Sequence, residues 1–239
     1  FYYFIKINYP NIYWANLKIS KIPMGTSVLI IFFILAAFVT TGPSIDLYIS
    51  SLFYYGDKQF LIQNYYPVSI LFRKILLPSL LIYIFVLPLF LRFLPLQKIY
   101  FGYKFSLSEI VYVWVSGTVT MLLVVNVVLK NMWGRARPND VSYFNGLQDF
   151  TPWYKISDAC SSNCSFVSGD SSVGFLLIVF YFITNKNAYL YLGLILGSLL
   201  GFIRIAAGGH FFSDIIFSQI IVTATILVSF VLYKKFYDK

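Results

Sequence analysis

Long apolar runs constrain the fold of this chain more than any other feature. Residues 24–42, 75–93, 107–129, 188–203 and 213–233 each come near the ~20 residues an α-helix needs to cross a bilayer. A shorter run, 171–184, is interrupted only by Ser and Gly and extends back toward Ser168. Hydrocarbon offers the backbone no hydrogen-bond partner, so segments this apolar cross it as helices. The expected fold is all-α, a polytopic membrane helical bundle with six transmembrane helices. Hydrophobic residues make up 59% of the chain and charged ones 11%, far from a soluble composition. Residues 1–23 mix aromatics with Lys6, Lys18 and Lys21 and read as an interfacial amphipathic segment on the membrane surface. Residues 24–239 then form one six-span domain. The first run is too long for a cleaved signal peptide, and no small-residue cleavage site follows it.

Six spans place both chain ends on one side, with the connections 92–106 and 184–188. That side carries Lys6, Lys18, Lys21, Arg92, Lys98, Lys104, Lys186, Lys234, Lys235 and Lys239, against only Glu109 and Asp238. Lys and Arg accumulate on the cytoplasmic side of membrane proteins, so the long loops 43–74 and 130–170 are expected to face outward. In a bacterium this is the inner membrane, with those loops in the periplasm. The net charge of +9 is spread along the chain with no basic tract, so nucleic acid is not an expected partner. Cys160 and Cys164, the only two cysteines, fall in the second outward loop. An oxidising compartment would allow a disulfide across a very small ring, and two free thiols are the alternative. Two cysteines without supporting histidines do not make a zinc site.

Three polar constellations sit at ends of the apolar runs: Lys130 to Pro138, Ser165 to Asp170, and Arg204 to Asp214. Ionisable groups are costly in hydrocarbon, so their clustering at helix ends points to function. The last one contains His210, the only histidine. With a helix starting near Gly209, Asp214 would lie one turn on, on the same face. A carboxylate holding one imidazole nitrogen leaves the other free as a nucleophile. Lys130, Arg137 and Arg204 are suited to phosphate oxygens, and the Ser168-Gly169 turn offers backbone N–H groups to an anion. Each feature also has an ordinary reading. His210 could pack at a helix start, Lys130 and Arg204 could snorkel, Arg135 and Arg137 could touch headgroups, and Ser168 could be a plain N-cap.

In combination, Lys130-x6-Arg137-Pro138, then Ser168-Gly169, then Arg204-x5-His210-x3-Asp214 resembles the type 2 phosphatidic acid phosphatase superfamily. The resemblance implies phosphate ester hydrolysis through a phosphohistidine, with no metal and no cofactor. His210 would attack phosphorus and Asp214 would orient it. Lys130, Arg137, Ser168, Gly169 and Arg204 would bind the phosphate. Two positions depart from the family pattern: Asp170 stands where a histidine acting as general acid is usual, and Ile203 replaces a serine. Asp170 would be the acid if burial raised its pKa, or otherwise a charge that tunes the cations.

The stretch Phe166 to Val173 resembles the bacterial lipid A phosphatase branch. A weakened acid suits the better leaving group, so removal of the 1-phosphate is favoured over the 4′-phosphate. The partner expected is a lipid phosphate in the membrane. Alternatives are a phosphatase for undecaprenyl pyrophosphate or phosphatidylglycerol phosphate, a catalytically dead lipid-binding relative, or a transporter. Against a transporter, the polar groups gather at one face, not near mid-membrane.

Overall fold

The computed structural model describes residues 42–62, 66–94 and 96–237. The interfacial segment 1–23 and nearly all of the first expected span, 24–42, lie outside the described residues. Among the described residues the chain is helical, with only two isolated bridges, Tyr54 to Phe60 and Val141 to Gln148. A short helix α1 (Pro43–Ser51) leads into the bundle. Four helices are long and apolar enough to cross a membrane: α2 (Ile70–Phe93), α4 (Leu107–Asn131), α6 (Asn187–Ala206) and α7 (Phe212–Tyr237). Between them lie a short helix α3 (Gln97–Phe101) and the shorter apolar helix α5 (Gly169–Thr184).

The helix ends follow from local chemistry. The Ser106 hydroxyl accepts from the Glu109 amide while the Glu109 carboxylate accepts from the Ser106 amide, a capping box that starts α4. Ser168 caps α5 through its hydroxyl, which accepts from the Ser171 amide. Asn185, in the left-handed conformation, ends α5 and turns the chain at once into α6.

Helix α5 is the centre of the bundle. Every residue from Ser171 to Tyr181 is buried. A helix apolar all round belongs inside, which explains a run shorter than its neighbours. It packs tightly on α6, where Gly174 faces Gly197 so closely that a side chain on either would collide with the other helix. The Ser171 hydroxyl donates to the Gly197 carbonyl at 2.7 Å, a polar tie across the same contact. Similar ties join α4 to α7, Tyr112 donating to the Ile226 carbonyl, and α4 to α2, Trp114 donating to the Phe85 carbonyl.

The alternating direction of the helices positions the site. The starts of α2, α5 and α7 and the ends of α4 and α6 lie at one end of the bundle. The loop 132–168 is fastened over that end by apolar contacts, including Trp153 and Phe166 packed on Phe217 of α7. Arg92, Lys98, Lys104, Lys186, Lys234 and Lys235 belong to the opposite end.

Candidate active site

His210 is the residue about which the rest is arranged. It is almost completely enclosed, with 2% of its surface exposed. Its Nδ1 lies 2.7 Å from the Ser165 backbone carbonyl oxygen. A carbonyl only accepts, so Nδ1 carries the proton and Nε2 keeps its lone pair. Burial pulls the imidazole pKa down from 6.5 to about 4; the Asp214 carboxylate opposes this and Arg204 and Lys130 add to it. The ring is therefore neutral at ordinary pH, the form a nucleophile needs.

The geometry brings His210 and Asp214 into contact, as expected, but without a direct hydrogen bond. Helix α7 starts at Phe212, not near Gly209, so His210 lies before the helix and the one-turn rule does not apply to it. Nδ1 is 3.6 Å from Asp214 Oδ2, too long for a hydrogen bond. Asp214 instead accepts from Arg135 at 2.6 Å, from the Phe211 amide at 2.8 Å and from the Ser165 hydroxyl. It also acts on His210 through Ser165, whose side chain it holds and whose carbonyl holds the ring.

Arg135 has no exposed surface and is turned inward, away from any surface contact. Its guanidinium donates to Asp46 at 2.8 Å, Asp214 at 2.6 Å, the Ser213 hydroxyl at 2.9 Å and the Thr151 carbonyl at 2.9 Å. It also lies over the Phe211 ring, 4.3 Å from its centroid. Asp46 accepts in turn from the Ser213 amide and hydroxyl. One buried cation thus joins α1, the loop and the start of α7 behind the histidine.

Of the phosphate-binding candidates, Lys130 and Arg204 lie near enough for their charges to act on the imidazole. Lys130 donates to the Asn163 side-chain oxygen at 3.1 Å, and Arg137 donates to the Asn163 carbonyl at 2.6 Å. The Lys130 amine lies beside Gly169, and the Arg204 guanidinium lies against Gly209. Glycine at both places lets the cations approach the backbone closely. Arg73, Arg137, Arg204, Asn139 and Gly209 line a cavity of about 180 Å³. Asp170 Oδ2 stands 3.4 Å from Arg204 and 3.5 Å from Arg73, as a counter-ion between two guanidinium groups. Ser168 is buried, its hydroxyl used as the α5 cap. Cys160 and Cys164 are disulfide-bonded, closing the ring that presents Asn163.

The profile of the PAP2 superfamily matches residues 111–238, which is 128 of the 239 residues and contains every motif above. This chain belongs to the PAP2 superfamily. A protein of Francisella tularensis subsp. novicida named "Lipid A 4'-phosphatase" is 44% identical to it over 118 residues, 47% of this chain and 53% of that protein. A Rhizobium leguminosarum protein of the same name is 35% identical over 112 residues, 44% of this chain and 48% of that protein. A third, from Rhizobium etli, is 34% identical over 112 residues, 44% of each. The chain thus spans about half the length of the curated relatives it matches. No solved structure matches.

Sequence reasoning missed Asp46, Arg73, Asn163 and the internal role of Arg135. Asp46 lies 89 positions from Arg135 and 168 from Asp214, beyond the reach of any spacing rule. Arg73 reads as one of two charges ahead of an apolar run. Asn163 carried one weak signal, its place inside the Cys160–Cys164 ring.

Proposed function

We infer that this chain hydrolyses a phosphate monoester of a membrane lipid, with the 4′-phosphate of lipid A as the first substrate to test. One observation carries the reading: a buried, neutral imidazole has its Nδ1 proton committed to the Ser165 carbonyl, so Nε2 is free beside a cluster of cations. Nε2 attacks phosphorus, and the P–O ester bond breaks with its electron pair leaving on the lipid oxygen. That oxygen takes a proton from water, and the hydroxide left is neutralised by the proton that the second water releases on attacking phosphorus. A second attack, by water oxygen on phosphorus, breaks the N–P bond and returns neutral His210 and inorganic phosphate. Lys130, Arg137, Arg204 and the Gly169 amide hold the phosphate oxygens while charge moves between them, which is the main source of rate in phosphoryl transfer. These cations do the work that a metal would otherwise do.

Asp170, paired with two arginines, serves as a counter-ion and not as the proton donor. With Asp170 as a counter-ion, no weak acid remains to favour the 1-phosphate. The names of all three relatives favour the 4′-position instead. The active site is read as facing the periplasm from a six-span fold in the inner membrane. The lysine-rich opposite end and the Cys160–Cys164 disulfide support this orientation.

The test is hydrolysis of bis-phosphorylated lipid A by the purified chain in mixed micelles, with the product position read by mass spectrometry. The expected product lacks the 4′-phosphate, and His210→Ala yields none. Loss of the 1-phosphate, or turnover of only undecaprenyl pyrophosphate or phosphatidylglycerol phosphate, rejects the substrate. Equal background release by the wild type and His210→Ala rejects the enzymatic reading.

A further inference from the structure

We propose that Arg73, from outside the three family motifs, is a fourth cation for the substrate's phosphate, and that Asp170 holds it in place until the phosphate takes over. The proposal rests on the reading above that Arg137 and Arg204, with Lys130, hold the phosphate of a lipid monoester. Arg73 lies in the first turn of α2, and the bundle brings it to the start of α5. Its Nε is 3.5 Å from Asp170 Oδ2, and Arg204 Nε is 3.4 Å from the same oxygen. Both guanidinium groups line the cavity of about 180 Å³ with Arg137. A water occupies about 30 Å³ of liquid, so this space takes a phosphate group with room left over.

Two further observations show that the Asp170 pairing is exchangeable. Asp170 Oδ2 and Arg204 Nε are both enclosed, yet among the described residues neither has a hydrogen-bond partner. Their contact is close enough for charge balance but lacks hydrogen-bond geometry. Arg73 is 56% exposed and its nitrogen is held by that single carboxylate, so it swings toward a new anion at little cost. A phosphate dianion offers more charge and more acceptor oxygens than one carboxylate, in the geometry a guanidinium fork matches. Asp170 thus keeps four cations from repelling one another and competes with the phosphate for two of them. The aspartate that stands where the family carries histidine has, on this account, an arginine from α2 as its complement.

The test separates binding from turnover, using the full chain in detergent. Inorganic phosphate is the probe for binding, by calorimetry and by its effect on Tm. Phosphate release from lipid A is the probe for turnover. Loss of one charge-assisted contact at a half-exposed position predicts that Arg73→Ala binds phosphate about tenfold more weakly, with kcat/KM lowered by a similar factor. Arg73→Lys keeps the charge but not the fork and falls between. Asp170→Asn removes the competitor and tightens phosphate binding, and the gain is smaller in an Arg73→Ala background.

Arg73 is exposed at the rim, so a folded protein with unchanged Tm is expected for its variants. Wild-type phosphate affinity in Arg73→Ala overturns the proposal, as does weaker binding in Asp170→Asn. If Arg73→Ala is normal while His210-dependent release persists, only this inference fails. If phosphate binding depends on Arg73 but no lipid phosphate is cleaved, the proposed function fails and this one stands. No phosphate binding by the wild type overturns this proposal, whereas the proposed function stands or falls on His210-dependent release.

Discussion

A proton held on Nδ1 of His210 by a backbone carbonyl has a consequence for pH dependence. The folded imidazole has a pKa of about 4 against 6.5 in the unfolded chain, so the unfolded state binds more protons between these values. Stability from this group is complete above about pH 6.5 and declines as pH falls through that window. Turnover should keep its nucleophile well below neutrality. A pH–rate profile is expected to show the acidic limb of His210 nearer 4 than 6.5; a limb centred at 6.5 contradicts the enclosed ring. Asp214 makes a second, opposite kind of prediction. Removing it in Asp214→Ala leaves Arg135 buried with half of its charge pairing lost, a change that costs about 3–5 kcal/mol. The loss should appear as a lower Tm as well as lower activity. Ser165→Ala cuts only the tie between Asp214 and the loop carrying the carbonyl. It is expected to slow turnover about tenfold with the fold intact, the scale of one charge-assisted hydrogen bond.

Helices were more legible than their ends. The apolar runs at 75–93, 107–129, 188–203 and 213–233 each match an observed long helix, because length and hydropathy are properties of the segment itself. The expected start of α7 near Gly209 lies three residues before the observed Phe212, where the Asp214 carboxylate accepts from the Phe211 amide and caps the helix. His210 and Asp214 stay in contact at 3.6 Å, and Ser165 adds a second tie by accepting from the ring and donating to the carboxylate. Contact between α5 and α6 also depends on tertiary approach. Gly197→Leu puts a branched side chain into the face of α5, and overpacking of this kind costs about 1–3 kcal/mol. Thermal unfolding in detergent measures it, and an unchanged Tm speaks against the tight helix pair. In the loop, Cys160→Ser with Cys164→Ser frees the ring that presents Asn163 to Lys130 and Arg137. A raised KM with nearly unchanged kcat is expected, read from steady-state kinetics.

Across the whole molecule, the proposed orientation makes one end of the bundle accessible from the periplasm and the other from the cytoplasm. Both native cysteines are bonded to each other, so introduced thiols can be read against a low background. Leu147→Cys, at a position 90% exposed over the site end, is expected to react with an impermeant thiol reagent added to spheroplasts. Lys186→Cys, in the turn between α5 and α6, should react only after the membrane is opened. The reverse pattern inverts the protein and removes the case for a periplasmic lipid substrate.

Hydropathy and motif order by themselves determined that this chain is a helical membrane protein with its family motifs at helix ends, because both are written in short stretches of residues. Only the tertiary structure decided that Arg135 faces inward to Asp46 and Asp214, that Ser165 holds the histidine, and that Arg73 joins the cavity. Those assignments depend on which distant segments share a boundary of the bundle. Charge of the same kind serves as scaffold or as ligand according to whether packing encloses it with acids or leaves it facing a space.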